Sequence, residues 1–256
     1  VTKVETINIL GTIASQSLEL NNANATYTSA AVYETLTVSA AGLTTGIATI
    51  DASAEADAKV VITGGGAADI ITISGSANLG DTIDAGAGND IIKVDVTADL
   101  TAADSIDGGA GATDTIKFTL NATATDAMFT LVSNVEKITS AADKDLDITL
   151  GNFAAAAGIN AVTLTGTAAS DTDTVAIDAD GPSVLTVTMD SDANEINSVV
   201  AAGTYAGAIT VVSVGGNFDS GASVFTGGTG SDTLSITADG NAIAAADMAS
   251  VTKVET

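Results

Sequence analysis

Three times between Gly64 and Ile116, a glycine-rich turn is followed by an acidic residue and then by aliphatic ones. The first copy is Gly64-Gly65-Gly66-Ala67-Ala68-Asp69-Ile70-Ile71, and the second is Ala85-Gly86-Ala87-Gly88-Asn89-Asp90-Ile91-Ile92. The third, Gly108-Gly109-Ala110-Gly111-Ala112-Thr113-Asp114-Thr115-Ile116, carries one extra residue. A fourth follows at Gly227-Gly228-Thr229-Gly230-Ser231-Asp232-Thr233-Leu234, and a degenerate fifth lies around Asp171. A chain that turns this often leaves only a few residues for each strand. Such strands bury their apolar side by stacking on the previous copy.

The stretches between the turns agree with this. Short runs rich in Thr, Val and Ile recur at Thr35–Val38, Ile47–Ile50, Val60–Thr63, Ile70–Ile73, Ile91–Val94, Val162–Thr165, Val184–Met189 and Ile209–Val214. β-branched residues favour strands, and Gly, Asn and Asp punctuate the runs. Apolar residues make up 46% of the chain but aromatics only 3%, which suits a thin, stacked core better than a thick globular one. The apolar content and the positive mean hydropathy exclude disorder, despite a formal net charge of −25. The expected fold is therefore all-β: a parallel β-solenoid or β-roll.

Repeats organise the rest. The hexapeptide Val1-Thr2-Lys3-Val4-Glu5-Thr6 recurs as Val251-Thr252-Lys253-Val254-Glu255-Thr256. This reads as one period of a longer tandem array. A weaker copy, Val132-Ser133-Asn134-Val135-Glu136-Lys137-Ile138, divides the chain into two related units, 1–138 and 139–256. The first holds the glycine-aspartate repeats of 64–118, and the second holds one clear repeat at 227–235. The Ala/Met-rich stretches Thr123–Val132 and Ala242–Val251 are expected to form short helices or turns.

Composition narrows the function. All seven basic residues are lysine and thirty-two residues are acidic, so phosphate-rich nucleic acid and anionic lipid are poor partners, and cations are good ones. Cysteine and histidine are absent, which removes thiolate and imidazole ligands and the usual general base. No Ser-His-Asp set, zinc-protease signature or phosphate loop is present. No apolar run has the length of a membrane span.

The glycine-aspartate turns match the nonapeptide pattern G-G-x-G-x-D-x-U-x of calcium-binding parallel β-helices. Glycine lets the loop turn sharply with its carbonyls inward, and aspartate adds a hard oxygen ligand of the kind calcium prefers. The aliphatic residue opens the next strand. The candidate metal set is Asp69, Asp90, Asp114 and Asp232, with Gly64, Gly86, Gly88, Gly109, Gly111, Gly228 and Gly230. Lesser turns add Asp81 with Asp84, and Asp104 with Asp107. In a two-sided roll, Asp69, Asp90 and Asp114 would line one edge, and Asp81 and Asp104 the other. Rungs lie about 4.8 Å apart, where unit charges repel by roughly 3 kcal/mol at an effective dielectric near 20. Calcium between rungs would reverse that sign and couple binding to folding. Asp143, Asp145 and Asp147, and Asp190 and Asp192, read instead as solvated loop faces.

These residues resemble the RTX (repeats-in-toxin) family, and the Thr/Ala-rich strands with endings such as Val132–Ile138 resemble RTX-type surface-layer proteins of Gram-negative bacteria. The resemblance implies secretion by a type I system, a calcium-stabilised β-solenoid, and calcium-dependent lattice formation on the cell; the lack of a catalytic set leads to the expectation of a protein that is not an enzyme. The family's calcium aspartates fall on Asp69, Asp90, Asp114 and Asp232. Ala67 and Ala85 stand where the pattern has glycine, and Thr113 is inserted. The expected partners are further copies of the chain and calcium, with cell-surface polysaccharide a further candidate, and neither nucleic acid nor inserted membrane. An extender region of a giant RTX adhesin is the alternative, and the tail of a secreted enzyme a lesser one.

Overall fold

The computed structural model describes residues 4–11, 14–22, 34–75, 79–166, 172–189, 196–214, 223–237 and 247–254. Among them the strands are, in chain order, β1 (Thr6–Asn8), β2 (Gln16–Asn21), β3 (Thr35–Ser39), β4 (Ala48–Ala54), β5 (Lys59–Thr63), β6 (Ile70–Thr72), β7 (Thr82–Asp84), β8 (Ile91–Val94), β9 (Ser105–Asp107), β10 (Thr115–Phe118) and β11 (Ala122–Ala124). They continue as β12 (Val132–Ser133), β13 (Lys137–Ser140), β14 (Leu146–Leu150), β15 (Ala161–Thr163), β16 (Thr172–Ile177), β17 (Val184–Thr188), β18 (Ile196–Ala201), β19 (Ala208–Val214), β20 (Val224–Thr226), β21 (Thr233–Thr237) and β22 (Val251–Thr252). One helix, α1 (Asn152–Ala157), lies between β14 and β15.

The chain forms two compact units, Val1–Lys117 with Ala127–Glu136, and Phe118–Asp126 with Lys137–Thr256. The division falls within the middle hexapeptide copy, after Glu136, but the earlier segment Phe118–Asp126 belongs to the second unit. In the first unit successive strands alternate between two sheets, ordered β1-β3-β5-β7-β9-β12 and β2-β4-β6-β8-β10. The second unit is built likewise, from β11-β14-β16-β18-β20-β22 and β13-β15-β17-β19-β21. The described pairings are parallel. Parallel pairing of every second strand makes each unit a β-solenoid, as the sequence predicts.

The core is a set of aliphatic columns. In the first unit Val38, Ile62, Ile83, Ile106 and Val132 are register partners in sequence, as are Ile50, Ile71 and Ile92. In the second unit the columns are Ile148-Val175-Val199-Phe225-Val251 and Val162-Val187-Val211-Leu234. Strand side chains alternate between faces, so each rung contributes its column residue and the positions two away from it to the interior. Each buried Ile or Val contributes roughly 1.5–3 kcal/mol over its exposed state.

All eight β-branched runs singled out in the sequence contain strand. The stretch Thr123–Val132 holds the end of β11, a 3-10 turn at Asp126–Phe129 and the start of β12. The 242–246 part of Ala242–Val251 lies outside the described residues, and the remainder is a 3-10 turn at Asp247–Ser250 leading into β22. Helix α1 is not anticipated by periodicity. Asp126 caps it from the neighbouring rung, accepting the Gly151, Phe153 and Ala154 N–H groups at 2.8, 3.1 and 2.8 Å. Gly158 ends it at φ 101°.

Candidate functional site

The motif aspartates sit two residues ahead of a column residue, so their side chains point the same way as the column, into the rung corner. Asp69, Asp81, Asp90, Asp104, Asp114 and Asp232 are accordingly buried. Each carboxylate folds onto the preceding rung and accepts a backbone N–H there.

On one edge, Asp69 takes the Ala48 N–H at 2.7 Å, Asp90 takes that of Asp69 at 2.6 Å, and Asp114 takes that of Asp90 at 2.7 Å. Glu136 ends the run on the Asp114 N–H at 2.8 Å. On the other edge, Asp81 caps Val60 at 2.9 Å and Asp104 caps Asp81 at 2.7 Å. The backbone answers in the opposite sense: Ile91, Ser105 and Thr115 donate to the carbonyls of Asp69, Asp81 and Asp90 at 2.9, 2.8 and 2.9 Å. These three steps are thus each closed by two hydrogen bonds, one charge-assisted. In the second unit Asp173 caps Leu146 at 2.6 Å and Asp232 caps Ile209 at 2.9 Å.

The second carboxylate oxygens separate these residues into two groups. Asp69 and Asp232 receive the N–H of the glycine four residues earlier, Gly65 and Gly228. Asp81 receives Ser74 through both N–H and hydroxyl, and Asp104 receives Thr101 likewise. The Oδ2 atoms of Asp90 and Asp114 are buried and meet no donor among the described residues.

Local sequence explains the difference. Asp84 and Asp107 stand two residues before Gly86 and Gly109 and capture their N–H groups at 3.2 and 3.0 Å. Those glycines adopt φ 96° and 86°, which only glycine adopts without strain. Thr63 and Thr226 hold the corresponding positions before Gly65 and Gly228, and there the N–H turns to the motif aspartate.

Electrostatics follow from this arrangement. Burial pushes the Asp90 carboxyl up to about 6, and repulsion from Asp114, Asp69 and Asp84 adds to it against the lowering effect of the Asp69 N–H. Burial likewise raises Asp69, Asp81 and Asp114, with Asp104 adding repulsion at Asp81, and Glu136 and Asp107 at Asp114. Apart from the motif, burial raises Glu55 to about 7, helped by its neighbour Asp57.

The loops stack closely. Ala87 N–H donates to the Gly65 carbonyl at 3.0 Å and Ala110 N–H to that of Gly86 at 2.8 Å. The inserted Thr113 is absorbed by Asn89, whose side-chain oxygen accepts the Ala112 and Thr113 N–H groups at 3.0 and 3.3 Å. A Cβ on Gly64, Gly111 or Gly230 would lie 2.0, 2.0 or 1.9 Å from a carbonyl oxygen of a neighbouring rung, and Gly88 is hemmed in by Ala67. At Gly109 a Cβ would lie 2.1 Å from the Gly86 carbonyl oxygen. Gly109→Ala is therefore expected to destabilise the protein by about 3 kcal/mol, whereas Gly203→Ala, whose only near neighbour among the described residues is the Lys253 ammonium at 3.4 Å, is expected to be near neutral. Paired denaturant melts measure this, and equal effects would contradict the close-stacking role.

Sequence reasoning overlooked Glu136, Asp173 and Asp126. The signal for the first two is an acid two residues ahead of a column aliphatic, as in Glu136-Lys137-Ile138 and Asp173-Thr174-Val175, with no glycine required. Within the solvated 143–147 cluster, the Asp145 carboxylate also accepts the Thr172 N–H at 2.9 Å and the Asn121 amide at 3.0 Å, both at exposed positions. Asp171, Asp190 and Asp192 lie outside the described residues.

Among the described residues no three acidic side chains converge as a ready cage for a metal. Asp90 and Asp114 each present one buried, donorless hard oxygen, each in a loop that carries a second acid, Asp84 or Asp107. The fold and turns thus define a parallel β-solenoid with acid-capped rungs. Comparison with family models, curated proteins and solved structures finds no match to this chain.

Proposed function

We propose that this chain is a non-catalytic structural module of a bacterial surface layer or extracellular filament, stiffened by calcium and assembling from copies of itself. The observation that carries this reading is the pair of donorless buried oxygens, Asp90 Oδ2 and Asp114 Oδ2, on stacked loops. A buried carboxylate oxygen without a donor is costly unless a proton or a cation meets it. Asp90 and Asp114 would hold calcium, with Asp84 and Asp107 and the carbonyls of their glycine loops as further oxygen donors. Calcium supplies charge neutralisation and a link between rungs. The remaining motif acids, Asp69, Asp81, Asp104 and Asp232, act as caps within the ladder.

An extracellular setting would suit this reading, because extracellular modules bind calcium at the 10⁻⁴–10⁻³ M order. The RTX resemblance points the same way. The quasi-one-dimensional fold and the recurring hexapeptide suit an extended assembly.

Calcium titration of the chelated protein, followed by circular dichroism and light scattering, tests the proposal. A gain in thermal stability together with growing particles is expected. Stiffening at constant monomer size would favour the adhesin extender instead. No response to calcium would remove the metal from the proposal.

A further inference from the structure

The glycine-aspartate corners at Asp69, Asp90, Asp114 and Asp232 share one frame and differ at one hydrogen bond. In each, Oδ1 of the motif aspartate takes an N–H of the preceding rung, from Ala48, Asp69, Asp90 and Ile209 in turn. In each, the residue after the second glycine donates to a carbonyl of that rung. Gly66 reaches Leu43, Ala87 reaches Gly65, Ala110 reaches Gly86 and Thr229 reaches Tyr205, at 2.7, 3.0, 2.8 and 2.6 Å. The N–H of the second glycine is what varies. Gly65 and Gly228 give it to the motif carboxylate, whereas Gly86 and Gly109 give it to Asp84 and Asp107, two residues back.

Glycine content does not account for the split. The first glycine position holds Ala85 in one open corner and Gly108 in the other. The third holds Ala67 in one closed corner and Gly230 in the other. The position two residues ahead of the second glycine does divide them, with Asp84 and Asp107 against Thr63 and Thr226. Thr63, Asp84 and Asp107 are successive register partners, so the chemistry changes at one place in the stack while the frame is kept. An aspartate side chain holds the N–H two residues on more strongly than a threonine hydroxyl does. Where aspartate holds it, the glycine sits at φ 96° or 86°, in a left-handed region that Gly65 and Gly228 do not enter.

We infer that the side chain two residues ahead of the second glycine is a positioning residue that selects which corners accept a cation. Aspartate there holds the glycine N–H with one oxygen. The motif carboxylate then keeps a buried oxygen that meets no donor among the described residues, as at Asp90 and Asp114. Threonine releases the N–H, which closes the motif carboxylate onto the backbone, as at Asp69. The inference rests on the calcium reading above. It adds that the Asp69 corner is a latent site, one substitution away from binding.

Calorimetric titration of the chelated full chain with calcium chloride tests this. Thr63→Asp should bind one more calcium ion per chain than the native protein. Thr63→Asn opens the same corner without added charge, so the test does not hang on the acid being tolerated; it should bind that ion roughly tenfold more weakly. Asp84→Thr should lose calcium at the Asp90 corner. Asp84→Asn, whose amide oxygen still takes the Gly86 N–H, should retain it with affinity reduced about tenfold. A merely structural or charge-supplying role at 84 would make both replacements fail alike. If the native chain binds calcium but neither Thr63 variant adds an ion, or Asp84→Asn fails as fully as Asp84→Thr, the selection is overturned and the calcium reading stands. A native chain that binds no calcium overturns both.

Discussion

Asp90→Ala and Asp90→Asn are expected to move stability in opposite directions in the absence of calcium. Alanine strands the buried Asp69 N–H, now held by Asp90 Oδ1 at 2.6 Å, and breaks the edge ladder in its middle. A lost charge-assisted hydrogen bond with an orphaned buried donor costs about 2–3 kcal/mol. Asparagine keeps an acceptor for Asp69 and places an uncharged amide where the donorless Oδ2 now sits. It removes a buried charge whose burden shows in the raised Asp90 carboxyl. A gain of about 1–2 kcal/mol in chelator follows, after discounting for partial solvent screening. Calcium then reverses the order. The native chain gains stability on adding calcium, and Asp90→Asn, more so combined with Asp114→Asn, loses most of that gain. Asp147→Asn, at an exposed position, is the control. Urea melts with and without calcium read all of these. If asparagine is as damaging as alanine in chelator, the ladder depends on charge and not on the acceptor. If the double variant keeps the full calcium response, calcium binds elsewhere.

The fold was legible because two periodicities coincide in the sequence. Period-two alternation in runs such as Lys59–Thr63 marks a half-buried strand, and the glycine-aspartate turns return the chain at short, uneven intervals. The acidic edge was legible for a narrower reason. Glycines drew attention to Asp69, Asp90, Asp114 and Asp232, yet the residue that enters the ladder is an acid two residues ahead of a column aliphatic. Glu136 and Asp173 meet that rule without glycines, and so escape a search for the motif. Asp145 looks like part of an acidic run, but Asn121 and Thr172 approach it only once the rungs are stacked. Helix α1 depends on Asp126, a cap supplied from across the sequence, which no local periodicity reveals. The division of the motif acids into capped and donorless ones turns on the side chain two residues before the glycine. Asp84 and Asp107 compete for the N–H, and Thr63 and Thr226 do not.

Lowering the pH should stabilise the calcium-free protein, the reverse of ordinary acid denaturation. Asp90 titrates near 6 in the folded chain, Glu55 near 7, and Asp69, Asp81 and Asp114 above the usual carboxylate value, all chiefly through burial. A group whose folded value lies above its unfolded value binds its proton more tightly when folded. Its stabilising contribution is complete below the unfolded value, near 4, and disappears as pH rises through the folded value. Between about pH 4 and pH 7 the folded state therefore holds more protons than the unfolded one, and stability falls as pH rises. For Asp90 alone the full shift corresponds to at most about 3 kcal/mol. The net charge of −25 acts in the same direction, since protonation relieves self-repulsion. Calcium competes with these protons, so its stabilising effect should be largest at pH 7–8 and shrink towards pH 5, flattening the profile. Thermal melts across pH 4–8, in chelator and in millimolar calcium, separate the two curves. A calcium-free melting temperature that climbs steadily from pH 4 to pH 7 would mean that the buried carboxylates are fully satisfied by their backbone donors, and that neither proton nor cation is needed at the Asp90–Asp114 corner.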